Sequence, residues 1–60
     1  MDNYKTAIEH VIAYAGDMEE IYKDAAKQFE SISDETRTIE ARARAEAMHD
    51  LCTFLREYML

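Results

Sequence analysis

Glu46-Ala47-Met48-His49 is the segment whose residue types and spacing come nearest to chemistry. A Glu-x-x-His on one helix, joined by a glutamate from a neighbouring helix, is how ferritin-like bundles hold two metal ions, and a dimer of helical hairpins would supply two such sets. At 100° per residue, however, Glu46 falls almost opposite Met48, in the middle of the polar face, and His49 falls on its edge. Ligands in a bundle core must project inward, and here Met48 takes that direction. The pair therefore reads as exposed and polar, with a metal site using Glu46 and His49 as the less favoured alternative.

Cys52 with His49 or His10 is the next candidate, as a nucleophile and its base. Such a site needs a thiolate, a positioned base and oxyanion donors. Cys52 lies instead on the apolar line of its helix, where a small buried hydrophobe is the common case. Gly16 is the only glycine, so no glycine-rich phosphate loop exists. The sequence thus points to no catalytic residue, no cofactor and no small-molecule substrate.

The elements that must carry these residues are helical. Tyr4, Ile8, Val11, Ala15, Met18, Tyr22, Ala25, Phe29 and Ile32 follow one another at gaps of four and three, the rhythm by which helices pack lengthwise on one another. With no proline in the chain, the spacing predicts one helix over about residues 3–31, capped by Asp2 or Asn3 and continuing through Gly16 with at most a bend. Ser31-Ile32-Ser33-Asp34 predicts a turn, with Ile32 covering the apolar end beside it. A second helix then runs over about 34–58, rich in alanine, arginine and glutamate. Two helices of similar length joined tightly make an antiparallel hairpin, so the fold class is all-α and residues 1–60 form one domain.

In the second helix Met48, Leu55, Met59, Cys52 and Ala41 fall within about 60° of one another. Leu51, Tyr58, Ala47, Phe54 and Ala43 widen the apolar arc to nearly 200°, twice what one neighbouring helix covers. Ile12, Tyr14 and Ile21 widen the first helix in the same way. Sixty residues with a single cysteine cannot form an internal disulfide and sit near the lower size limit for a lone core. Both facts lead to the expectation of a homodimeric four-helix bundle or of docking on another protein. Tyr14, Leu51, Phe54, Tyr58 and Met59, toward the margins of the stripes, are the candidate interface residues. Glu19, Glu20 and Asp24 form a candidate acidic patch for a partner with a basic rim. Arg44 should come opposite Ile21 and Tyr22, with its stem snorkelling and its head stacked on Tyr22 or paired with Asp24 or Glu20.

A net charge of −6 repels nucleic-acid phosphates and anionic membrane surfaces. No apolar run approaches the ~20 residues of a membrane span, and Met1–Thr6 carries no basic stretch followed by an apolar block, so no signal peptide is expected. An odd cysteine fits a reducing compartment, which makes the expected location cytoplasmic. In outline the hairpin resembles the plasmid-copy-number RNA-binding hairpin dimers and the short helical-hairpin phosphatases of sporulation phosphorelays. It lacks the basic RNA face of the first. Nothing matches the Ser-Gln-Glu-Leu-Asp segment of the second; Ala45-Glu46-Ala47-Met48-His49-Asp50 departs from it. The likeness is one of shape alone. The expected function is a small acidic protein-binding regulator or inhibitor, of the kind carried by phages or plasmids, with a structural assembly element as the alternative.

Overall fold

The computed structural model describes residues 3–60. It consists of two helices, α1 (Asn3–Ser31) and α2 (Glu35–Tyr58), lying side by side in a rod with extents of 49 × 15 × 10 Å. The hairpin expected from the sequence is present. Asn3, a candidate cap, is itself the first helical residue, and Asp2 lies outside the described residues. α1 is unbroken at Gly16.

The turn takes three residues because Ser33 adopts a left-handed conformation, φ 60°. That reversal lets the Asp34 N–H donate to the Phe29 carbonyl at 2.9 Å and the Ser33 N–H to the Glu30 carbonyl at 3.0 Å. These two bonds satisfy carbonyls that the end of α1 would otherwise leave unpaired. Asp34 then starts α2. Its carboxylate accepts from the Arg37 N–H at 3.0 Å, and its carbonyl accepts from the Thr38 hydroxyl at 2.8 Å. Glu35 in the first turn and Arg56 in the last complement the dipole of α2, whereas α1 has neither an acidic first turn nor a basic last turn.

The seam between the helices is lined by small residues. Ala15, Ala26, Ala41, Ala45, Thr38 and Cys52 are buried, with Ile12 and Leu55 as the only larger members, and Ile8, Met48 and Met59 pack against them. Short side chains let two helices approach closely and leave long ones to project sideways. Thr38, Ala41, Ala45, Met48, Cys52, Leu55 and Met59 make an unbroken heptad line on α2. The angular reading of the sequence placed most of this line but passed over Thr38 and Ala45.

Two expectations for α1 need correction. The nine-residue heptad line enters the seam only in part: Ala15 is buried and Ile8, Met18, Tyr22, Ala25 and Phe29 are half-buried, but Tyr4, Val11 and Ile32 are exposed, while Ile12 and Ala26, off the line, are buried. The apolar arc is wide enough to offer two seams, and α2 takes the one lined by alanine. Ile32 is 68% exposed and does not cover the end of the hairpin, because it sits in the turn that reverses the chain.

Candidate interaction surface

The two long sides of the hairpin differ in character. One is a shallow charged groove of about 640 Å³, bordered by Glu19, Glu20, Lys23, Asp24, Lys27 and Glu30 from α1 and by Arg42, Glu46 and His49 from α2. Glu19 is its anchor. Its carboxylate takes the Lys23 ammonium at 2.9 Å and faces the His49 Nδ1 at 3.5 Å. The hydrogen bond from Lys23 holds the Glu19 carboxyl below the ordinary carboxylate range; partial burial opposes this and His49 adds to it. The same contact with Glu19 raises Lys23. Arg42 bonds Glu30 across the turn end of the groove.

The acidic residues expected to meet a partner are therefore not equivalent. Glu20 and Asp24 are exposed, whereas Glu19 is already engaged and only 15% exposed along its side chain. Interleaved Lys23, Lys27 and Arg42 also make the groove mixed in sign rather than purely acidic. Glu46 and His49 are exposed, as their angular positions implied. Among the described residues, no three His, Cys, Asp or Glu side chains come together to hold a metal ion. The Cys52 thiol is buried and donates to the Ile12 carbonyl at 3.5 Å, which marks it as part of the seam.

The other side is apolar. Its turn half is covered by arginine: the Arg37 guanidinium lies 5.8 Å from the centre of the Phe29 ring, and that of Arg44 lies 5.9 Å from the centre of Tyr22. Arg44 also pairs with Glu40 at 2.9 Å. This is the snorkelling arrangement with Tyr22 expected from the sequence. Seven residues are two helical turns, so steps of seven stay on one line along a helix. From Arg37 and Arg44 that line continues to Leu51 and Tyr58. From Ala25, which borders the same side of α1, it continues to Met18, Val11 and Tyr4.

In this terminal half no described residue covers the side chains as the arginines do at the turn. Tyr14 is 64%, Phe54 52% and Tyr58 72% exposed, with Val11 and Leu51 beside them. Phe54 and Tyr58 stack at 5.1 Å between ring centres, which shields little of either ring. Of the five candidate interface residues, Tyr14, Leu51, Phe54 and Tyr58 are on this open surface. Met59 is not. It packs on the end of the core and accepts a bond from the Tyr4 hydroxyl at 3.7 Å, because it belongs to the seam line Cys52–Leu55–Met59.

The area is unusual for the mass. The hairpin exposes 4692 Å², against roughly 4,000 Å² for a compact monomer of its 7.0 kDa. No large side chain among the described residues is fully buried. No helix of the described residues is long and apolar enough to cross a membrane. Neither a known protein family, nor a curated protein, nor a solved structure matches this chain.

Proposed function

We propose that this chain is a small acidic, non-enzymatic protein-binding regulator or inhibitor: a helical hairpin that dimerises into a four-helix bundle and docks on a larger protein. The observation that carries the reading is the uncovered apolar side, where Tyr14, Leu51, Phe54 and Tyr58 stand in water while the seam is filled mostly by small residues. Contiguous exposed apolar surface marks interaction sites, and tyrosine, phenylalanine and methionine are enriched in them. The excess area, roughly 700 Å², is close to the ~800 Å² that each partner gives to a standard interface. The net charge of −6 and the exposed carboxylates of Glu20 and Asp24 favour a partner with a basic rim. Exposed charges are screened beyond ~8 Å at physiological salt, so association with such a partner slows as salt rises.

A structural assembly element is the second reading, favoured by the same excess area, since a dimer alone could use all of it. A capture experiment separates the two. The regulator reading expects a protein retained from lysate by the wild type, retained less at high salt and lost with Phe54→Glu/Tyr58→Glu. Reversing Glu20 and Asp24 should slow its association while helical content is unchanged. Binding indifferent to both pairs of substitutions would overturn this reading. Stoichiometric metal lost on Glu46→Gln or His49→Ala would replace it with a metal-binding one.

A further inference from the structure

The apolar side has two unlike halves, a difference set by α2. On α2 the line is Arg37, Arg44, Leu51, Tyr58, with cations toward the turn and apolar residues toward the chain ends. On α1, Tyr4 and Val11 lie at the terminal end, while Tyr22 and Phe29 lie under the arginines at the turn end. A surface with unlike halves becomes complementary to itself when it is copied and reversed, and a two-fold axis performs that operation. We infer that a second copy of this chain packs face to face on this side, with the turn of one hairpin over the termini of the other. This rests on the dimeric reading above and specifies its geometry.

One register satisfies both helices. On α2, setting Arg44 opposite the second copy's Leu51 also sets Arg37 opposite its Tyr58, because both pairs share a midpoint between residues 47 and 48. The corresponding level on α1 is fixed by the seam. The Cys52 thiol meets the Ile12 carbonyl at 3.5 Å, so the level of residues 47–48 is that of residues 16–17. About that midpoint Val11 falls opposite the second copy's Tyr22, and Tyr4 opposite its Phe29. Each guanidinium then meets an apolar or aromatic side chain, and the open rings of Tyr4 and Tyr58 are covered. Arg37 and Arg44 keep their donors free at the rim for Asp34 and Glu40, which already pair with them.

Area and charge select this arrangement over two others. Overlap along the whole rod offers a footprint of 49 × 15 Å, or 735 Å² per copy, close to the ~800 Å² per partner of a stable interface. Overlap of the apolar halves alone offers about half of that and falls short. Turn-over-turn overlap covers the full length, but its two-fold axis runs along the rod and gathers Arg37 and Arg44 of both copies in one half of the interface, crowding like charges.

Residue exchange tests the register. Leu51→Arg places a cation opposite Arg44 of the second copy and should weaken the dimer by at least about 100-fold. Arg44→Leu/Leu51→Arg restores one cation against one apolar residue at each crossing and should return the affinity to within about 10-fold of the wild type. Sedimentation equilibrium reads the affinities, with circular dichroism checking that each hairpin is intact. As a second measurement, nitroxide labels at Ser31→Cys, in a Cys52→Ala background, should lie about 40 Å apart at 1.5 Å per residue, where turn-over-turn packing brings them within about 20 Å. A dimer that Leu51→Arg leaves intact, that the exchange fails to restore, or whose labels are close would overturn the register while leaving dimerisation standing. A wild type monomeric at all concentrations would overturn both.

Discussion

Gly16→Ala probes which side of the hairpin is open. Gly16 lies inside α1 with helical geometry; among the described residues no glycine has positive φ. A Cβ built there meets no atom within 4 Å. Nothing in the hairpin therefore opposes alanine, and the full difference in helix propensity, about 1 kcal/mol, should appear as added stability. Unfolding entropy near 2.1 cal/mol/K per residue makes this a rise of about 8 °C in Tm for a chain of this size. Circular dichroism melts at matched protein concentration would measure it, since the Tm of a dimer depends on concentration. Gly16 leads by steps of seven to Lys23 and Glu30, both bordering the charged groove, so it stands away from Tyr14, Phe54 and Tyr58. An unchanged or lowered Tm would mean that another chain packs closely against Gly16. The charged side, not the apolar one, would then be the covered face.

Other substitutions test the hairpin itself. Ser33→Gly should add about 0.5–1 kcal/mol in denaturant unfolding, because Ser33 holds a left-handed conformation that disfavours a Cβ. Asp34→Ala should remove about 1–2 kcal/mol in the same assay, since its carboxylate caps α2 at the Arg37 N–H. Ala15→Leu should cost about 1–3 kcal/mol by forcing the seam apart at a residue with no exposed surface. The Glu19 carboxyl titrates below its ordinary value of 4.5, held there first by Lys23. Its contribution to stability is therefore complete above that value and is lost as pH falls through the lowered one. Glu19→Gln should flatten the acid limb of a Tm-against-pH profile below about pH 5, and an unchanged limb would refute the assignment.

Helix number, length and hairpin order were legible because they depend on local patterns: a stripe at gaps of three and four, helix-forming composition and a Ser/Asp turn. Which part of a wide stripe becomes the seam was not local. Val11 and Ile12 are both apolar, and only the facing helix decides between them: Ile12 packs with Cys52 and Leu55 of α2 while Val11 stays outside. Thr38 and Ala45 were passed over because the arc was widened only toward Leu51, Tyr58 and Phe54, although their heptad spacing with Ala41 and Met48 was there to be read. Met59 looked marginal on its own helix, yet the seam line through Cys52 and Leu55 claims it. Tyr14, Leu51, Phe54 and Tyr58, expected as interface residues, are open positions, since α1 and α2 together offer more apolar arc than one contact can cover. The engagement of Glu19 was only half legible: Lys23 stands four residues on in the same helix, whereas His49 arrives from α2.

The central claim is that the apolar side is covered in solution. Sedimentation equilibrium of the wild type from about 1 to 200 µM, micromolar concentrations at which specific interfaces of ordinary size form, tests it most directly. The account predicts a mass approaching twice 7.0 kDa that returns to the monomer value in Phe54→Glu/Tyr58→Glu, with loss of thermal stability. A wild type that stays at 7.0 kDa throughout, and melts at the same temperature as that variant, would contradict it.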